Sequence, residues 1–256
     1  MKRLLLVVYL VASVAWVQAA NVYRDFTSVD GKVIRGCIKT YDATTETVTI
    51  ERDNKKIIAK VPLNIFSEAD QAYINKWKNQ EGVRRSSKFK ISCDRRGIKD
   101  WGKKHYGKVY SGNSVQKNQV VGKTDFEEIG YEISLENRNG YTIEGLILEY
   151  CIYYEQETKP DQDREEGVLI GSITIDELAA HKEKKFSTNA VVVYKEEKNA
   201  GLMEAYRLKG RVCGIALRFY MQEGDEKILL REEAVPSSVV NSRDWSTSSI
   251  HVGMNE

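Results

Sequence analysis

Histidine is scarce in this sequence, and the motifs of common enzymes are missing. Only three histidines occur in 256 residues, and none has the i, i+4 or Cys-x-x-Cys spacing of a zinc site. There is no Gly-x-Ser-x-Gly elbow, P-loop or dinucleotide fingerprint. We therefore predict a protein that is not an enzyme and needs no metal or cofactor. A hydrolase built on paired carboxylates stays open, because their spacing is set in three dimensions.

Apolar runs long enough to cross a bilayer are also missing. The run Leu4–Val17 has 14 residues, whereas a transmembrane helix needs roughly 20. It follows Lys2 and Arg3 and precedes the small-residue segment Val17-Gln18-Ala19, which is the pattern of a secretory signal peptide. We predict that residues 1–20 are this signal, that the protein is secreted or periplasmic, and that no transmembrane segment follows cleavage.

Cysteine is limited to four residues, an even number that suggests disulfides in an oxidising compartment. Cys151 and Cys213 each lie in a strongly β-patterned run, so a disulfide between them is one possibility. Cys37 is predicted on the solvent face of its strand, from where it could reach Cys93. Four unpaired thiols are the alternative.

Charge is balanced overall but unevenly distributed. The chain has 39 basic and 37 acidic residues, and removing the signal peptide leaves 37 of each. Residues 76–123, however, contain 14 Lys and Arg against three acids, a net charge of +11, with Phe89, Trp101, Tyr106 and Tyr110 interleaved. The candidate anion-binding residues are Arg84, Arg85, Arg95, Arg96, Lys103 and Lys104.

Basic charge with aromatic side chains is typical of sites for single-stranded nucleic acid, acidic polymers or anionic membrane surfaces. Secretion argues against nucleic acid, so an anionic polysaccharide is the candidate ligand. The alternative is that these charges are the solvated face and loop of the next domain, whose first strand is predicted at Ser87–Cys93.

Residues 21–77 have the pattern of a small β-barrel. Strands are predicted at Tyr23–Thr27, around Val33–Tyr41 and at Val48–Ile50, because apolar and polar residues alternate there with a period of about two. Asp53-Asn54 is predicted as a hairpin turn of residues that tolerate left-handed backbone. Ser67 then marks the start of a helix, with Asp70 at the capping-box position.

These residues resemble the SLA homology domain, an SH3-like family named from endocytic adaptors. The matching segments are Arg24-Asp25-Phe26-Thr27, Asp30-Gly31-Lys32, Val48-Thr49-Ile50, Val61-Pro62-Leu63 and residues 66–74. The resemblance implies adaptor-type binding of short Asn-Pro-Phe-x-Asp peptides, with cytoskeletal and ubiquitin partners in eukaryotic members. Related copies occur in secreted planctomycete and verrucomicrobial proteins. At the second hairpin the family's Asp-Gly-Lys is replaced by Asp53-Asn54-Lys55.

The remainder, residues 78–256, is predicted to be a basic connector followed by a β-sandwich. Strand-like runs are Tyr131–Asn137, Ile143–Tyr154, Val168–Ile175, Phe186–Tyr194, Val212–Met221 and Lys227–Glu232. Leu146, Leu148, Tyr150, Ile152 and Tyr154 are predicted on one face. Ile215, Leu217 and Phe219 are predicted to share a face with Cys213. From Tyr131 through Asp244-Trp245 the spacing resembles immunoglobulin-like modules of such secreted proteins.

The sequence therefore predicts an all-β protein with an SH3-like barrel, a short C-terminal helix of that barrel, and an immunoglobulin-like sandwich. The predicted function is non-catalytic binding of a peptide or protein surface, with Tyr23 and Tyr41 as candidate peptide-binding residues. The alternative is an anionic-glycan or cell-surface binder that acts through residues 76–123.

Overall fold

The computed structural model describes residues 23–85, 87–199 and 205–239. The predicted signal peptide and the Asp244-Trp245 pair lie outside these ranges. The described chain is all-β apart from one α-helix and one 3-10 turn, so the predicted all-β class is confirmed. It forms two compact units that divide between Asn75 and Lys76. No helix in the described ranges has both the length and the apolarity needed to cross a membrane.

The first unit is a four-stranded antiparallel sheet in the order β1-β2-β3-β4. Its strands are β1 (Arg24–Thr27), β2 (Val33–Asp42), β3 (Thr47–Arg52) and β4 (Ile57–Pro62). A 3-10 turn at Leu63–Ile65 leads into the helix α1 (Glu68–Arg84), which is longer than predicted. Pro62 ends β4, as expected for a residue without an N–H to donate.

Asp70 joins the start of α1 to β1. The Ser67 hydroxyl accepts the Asp70 N–H at 3.3 Å, so Ser67 is the predicted N-cap. The Asp70 carboxylate does not complete a capping box. It accepts the Thr27 N–H and an Arg24 guanidinium N–H, each at 2.7 Å, and is 3% exposed. The residue predicted only as a helix cap therefore also holds the helix against the sheet.

The second unit has eight strands. They are β5 (Phe89–Ser111), β6 (Ser114–Asn137), β7 (Ile143–Gln156), β8 (Glu165–Leu178), β9 (Glu183–Ser187), β10 (Val191–Lys198), β11 (Tyr206–Glu223) and β12 (Glu226–Val235). The hydrogen-bonded order is β5-β6-β10-β11-β7-β8, with β9 on β6 and β12 on β11.

Strand β11 belongs to both layers of this unit. Tyr206–Lys209 pair with β10, whereas the strand pairs with β7 from Gly210 onward. One layer is thus β5, β6, β9 and β10, and the other is β7, β8, β11 and β12. Side chains of both layers, such as Ile129 and Leu148, meet in a single buried cluster. The second unit is therefore a β-sandwich.

The predicted face of β7 is confirmed, because all five of its residues lie in this cluster: Leu146, Leu148, Tyr150, Ile152 and Tyr154. The predicted single strand Phe186–Tyr194 is wrong, since β9 and β10 are separate and both pair with β6. The break is at Thr188, whose hydroxyl accepts the Tyr131 N–H at 2.9 Å in place of a backbone carbonyl.

A β-bulge changes the predicted environment of Cys213. The register of β11 against β7 shifts between Val212 and Gly214, so that Val212 and Ile215 both enter the core cluster. Cys213 packs instead on the opposite face, against a separate cluster that includes Ala216 and Val239. The prediction that Cys213 shares a face with Ile215 is therefore wrong.

No disulfide joins the four cysteines, all of which are described. The partner of Cys151 across the ladder is Ala216, three residues from Cys213 along β11. Three residues of strand span about 10 Å, whereas bridged Cα atoms lie within about 7 Å. The possible Cys151–Cys213 disulfide is therefore not formed, and the alternative of four unpaired thiols fits the structure.

Two predictions for the first unit are also wrong in detail. Cys37 is buried at 1% exposure, and Ile38 beside it is buried too. Neighbouring residues of a strand point to opposite faces, so both faces of β2 are covered at this position. The predicted hairpin turn at Asp53-Asn54 is present between β3 and β4, but its left-handed residue is Lys55, with φ of 65°, and not Asp53 or Asn54.

Candidate functional site

The basic connector predicted from the sequence begins in the last turns of α1, and from Phe89 onward it belongs to a long β-hairpin. Strands β5 and β6 pair from Phe89 with Asn137 to Ser111 with Ser114. The third strand, β10, accompanies β6 only as far as Gly122, and the Asn199 N–H then bonds the Val121 carbonyl at 2.9 Å. Beyond that point the hairpin has no third strand among the described residues. We call residues 101–123 the basic arm.

The acid-free composition of the basic arm is its main electrostatic property. It contains five lysines, one histidine and neither Asp nor Glu. Acidic residues begin immediately after it, and Lys123 at its end pairs with Asp125 at 2.6 Å. Apart from Lys123, the lysines of the arm thus have no ion-pair partner among the described residues.

The predicted anion-binding residues divide into two groups. The four arginines are ion-paired: Arg84 and Arg85 with Glu81, Arg95 with Glu127 and Arg96 with Glu132, at 3.0 to 3.4 Å. Lys103 and Lys104, by contrast, are exposed and form no ion pair within the described ranges. The same holds for Lys108 and Lys117 in the arm, which the sequence did not single out. The four unpaired lysines are the better candidates for contact with an anion.

Large apolar side chains are also exposed on the arm. Tyr106 is 63%, Tyr110 50%, Val115 48% and Val120 44% exposed. Such exposure is normal for single residues, but a contiguous group marks a binding surface. Tyr106 pairs directly with Val120, and Tyr110 with Val115. The four side chains therefore form two cross-strand pairs.

Three aromatic residues form a row across the base of the arm. The register places Trp101 opposite Phe126, and Phe126 opposite Tyr194. The Trp101 and Phe126 rings are stacked with centroids 5.2 Å apart, and Tyr194 lies 6.0 Å from Phe126. The Lys99 ammonium is 5.4 Å from the Trp101 centroid. This half-buried row fixes the base of the arm to the sandwich.

A groove of about 390 Å³ lies beside this row. Its lining residues are Asp100, Trp101, Asp125, Phe126, Glu127, Val193, Tyr194, Lys195 and Gly210. The carboxylates in it are partly neutralised, since Asp125 pairs with Lys123 and Glu127 with Arg95. No group of His, Cys, Asp and Glu among the described residues is arranged to hold a metal ion.

The two candidate peptide-binding tyrosines lie at different positions in the first unit. The Tyr23 hydroxyl donates to Glu51 at 2.6 Å and accepts from the Lys55 ammonium at 3.1 Å. The hydrogen bond from Tyr23 lowers the pKa of Glu51 to about 2. Tyr41 pairs with Val48, and burial raises its pKa. No contact joins Tyr23 and Tyr41 in the described structure.

Two thiols of the second unit, those of Cys93 and Cys151, are poor nucleophiles. Burial raises the pKa of Cys93 to about 12, and burial also raises the pKa of Cys151. Because the thiolate is the reactive form, a raised pKa keeps both thiols protonated and slow to react near neutral pH. Neither residue has the low pKa of a catalytic nucleophile.

Comparison with known proteins gives no family. No family model matches the chain, and no curated protein matches it. Among solved structures, a Northeast Structural Genomics Consortium target is 7% identical with a TM-score of 0.24, over 58% of this chain and 86% of that one. A crystal structure from Akkermansia muciniphila is 11% identical with a TM-score of 0.17, over 57% of this chain and 70% of that one. These scores identify neither a fold family nor a function.

Proposed function

We propose that this chain is a secreted, non-catalytic binding protein that attaches to an anionic surface through its basic arm. The observation that carries the proposal is the acid-free arm, in which Lys103, Lys104, Lys108 and Lys117 are exposed and unpaired within the described structure. A short hairpin would suffice to connect β5 with β6, so the extra length has another use. Surface charge of one sign attracts and orients a ligand of the opposite sign.

The distribution of ion pairs favours the basic arm as the anion-binding site over the other parts of residues 76–123. The arginines outside it already pair with glutamates, and an anion would have to displace those partners. The arm lysines need no such exchange. Lys108 and Lys117 extend from the two-stranded part of the arm, and Lys103 and Lys104 lie at its base, where β10 still pairs with β6. Exposed lysines spread along a hairpin in this way suit an extended surface or polymer better than a small ion enclosed in a pocket.

Heparin chromatography of the mature chain tests the proposal. We expect retention that falls steeply with salt, because binding by several cations releases counterions. The variant K103Q, K104Q, K108Q, K117Q should elute at clearly lower salt than the wild type. A control variant, K32Q, K56Q, K182Q, K184Q, removes the same charge from exposed lysines elsewhere and should elute close to the wild type. Equal early elution of both variants would show that only net charge matters and would contradict a role for the arm.

Peptide binding through the first unit is a second candidate. It rests on the resemblance of residues 21–77 to the SLA homology domain and on two exposed apolar residues near the end of the sheet. Val29 is 73% and Ile65 is 40% exposed, and the Val29 N–H bonds the Ile65 carbonyl at 2.8 Å. An apolar pair of this kind fits the shallow contacts of a peptide-binding module. In this reading the sandwich is a spacer or a second recognition face, with the immunoglobulin-like character that its strand spacing resembles.

A further inference from the structure

We infer that the anionic surface is a lipid bilayer, and that one face of the basic arm inserts shallowly into it. This inference rests on the proposed function and names the class of its ligand. The structural basis is the placement of Tyr106, Tyr110, Val115 and Val120 on a single face of a lysine-rich ribbon. Lysines alone would bind any polyanion, whereas the apolar face favours an anionic ligand that also has an apolar part.

The pairing register places the four side chains on one face. Residues directly opposite in an antiparallel ladder share a face, which joins Tyr106 with Val120 and Tyr110 with Val115. From Gly107 to Val109 the partner on β6 changes from Gln119 to Gln116, so the extra residue lies on β6. Strand β5 keeps its alternation there, and Tyr106 and Tyr110, four residues apart, point the same way.

The extra residue of β6 is at or beside Asn118, whose φ is 56°. A bulge at that place absorbs the added residue without turning Val115 away from Val120. The apolar face therefore extends over about 13 Å along β5, from Tyr106 to Tyr110. The alternation of β5 also places Lys108 on this face, between the two tyrosines.

The chemistry of this face favours lipid over sugar or nucleic acid. Tyrosines are suited to stacking on a base or a sugar ring, but the two exposed valines have no such role. In a bilayer interface all four side chains have a place, because tyrosine lies at the headgroup level and valine enters the acyl boundary. Lys108 and Lys117 can extend to the phosphates while their methylene groups remain on the apolar side.

Charge completes the match with an anionic leaflet. Basic residues next to an apolar face bind such membranes more strongly than either feature alone, because attraction to anionic lipid adds to apolar burial. A second copy of the chain is disfavoured as the occupant of the same face. Two acid-free arms would bring five lysines each together without any carboxylate to separate them.

Vesicle flotation of the mature chain tests the inference. The probes are vesicles of phosphatidylcholine with phosphatidylglycerol as the minority lipid, and vesicles of phosphatidylcholine alone. We expect the wild type to float with the anionic vesicles and to stay behind with the neutral ones. The face variant Y106T, Y110T, V115T, V120T keeps every lysine and uses a residue that suits strands. It should lose about tenfold or more in partitioning, because apolar burial is removed.

Two controls keep the outcomes distinct. The variant V33T, I57T, I170T, L229T removes four exposed apolar side chains elsewhere and should float like the wild type. The face variant should elute from heparin at the same salt as the wild type, which shows that its arm is intact. Flotation of the face variant equal to the wild type would overturn the insertion.

The remaining outcomes separate the inference from the proposed function. If the wild type is retained on heparin but does not float with anionic vesicles, the lipid inference is overturned and the proposed function stands. If the wild type is neither retained nor floats, the lipid inference and the proposed function are both overturned. The wild type could instead fail to bind vesicles and form a dimer in sedimentation velocity that the face variant abolishes. That result would overturn the lipid inference and identify a second copy of the chain as the ligand of this face.

Discussion

A methyl group at Gly171 should destabilise the sandwich, because the Tyr150 ring covers that glycine. The two residues are direct partners in the ladder between β7 and β8. A Cβ built on Gly171 would overlap the ring and hydroxyl of Tyr150. The ring cannot simply move away, since Tyr150 is 3% exposed within the core cluster and its hydroxyl accepts the Asn189 N–H at 2.9 Å.

The expected cost of Gly171→Ala follows from these contacts. Forcing an extra carbon into a packed site costs about 1–3 kcal/mol, and losing the hydrogen bond to Asn189 adds about 1 kcal/mol. Removing the backbone freedom of glycine returns about 0.5–1 kcal/mol. We therefore expect a net loss of about 1–3 kcal/mol. Gly97→Ala on β5 is the matched control, because its Cβ would meet no atom within 4 Å and the change should be neutral or slightly stabilising.

Urea unfolding of both variants measures the difference, with the slopes compared to confirm that the midpoints report stability. A double-mutant cycle gives the sharper test. In a Tyr150→Ala background the ring is gone, so adding Gly171→Ala should cost almost nothing, and the coupling should account for most of the single-variant loss. If Gly171→Ala costs the same in both backgrounds, the ring is not the cause and the reasoning is refuted.

Two further predictions concern the first unit. Asp70→Ala leaves the Thr27 N–H and Arg24 without their acceptor, so we expect a loss of about 2 kcal/mol or more in urea unfolding, and a loss below about 0.5 kcal/mol would contradict this role. Tyr23→Phe removes the main cause of the low pKa of Glu51, so its pKa, followed by NMR, should rise from about 2 toward the ordinary 4.5. Because the folded pKa lies below the unfolded one, the stabilisation is present above about pH 4.5 and is lost as the pH falls through about 2. In the variant that loss should be smaller and lie at higher pH, and an unchanged pKa of Glu51 would exclude Tyr23 as the cause.

The strands that could be predicted are those in which apolar and polar residues alternate without interruption. The β7 face from Leu146 to Tyr154 was readable because its apolar residues alternate without a break and both layers cover it. The start of α1 was readable for a similar local reason, since Ser67 forms its cap bond with a residue three positions away. Local signals of this kind require no knowledge of the partner strand.

Bulges account for the parts that were not predictable. A single extra residue reverses the alternation of every residue beyond it, and it leaves no reliable trace in composition. That is why Cys213, beside the register shift between Val212 and Gly214, was placed on the wrong face. Cys37 was placed at the surface for another reason: both faces of β2 are covered there, which alternation alone does not reveal. The face of a strand next to a bulge depends on its neighbour in the sheet, which the sequence of the strand alone does not contain.

The basic arm was missed as a hairpin for the same reason, with three register shifts between β5 and β6. The basic composition of this segment was nevertheless recognised from the sequence, although its strand pattern was not. One explanation of lysines on an exposed strand is that they prevent the strand from pairing with other chains. That purpose would not need tyrosine and valine exposed beside it, since these residues promote the very association that lysine prevents. Exposed lysines and exposed apolar side chains are compatible if the arm binds a surface that is both anionic and apolar. An anionic lipid bilayer is such a surface.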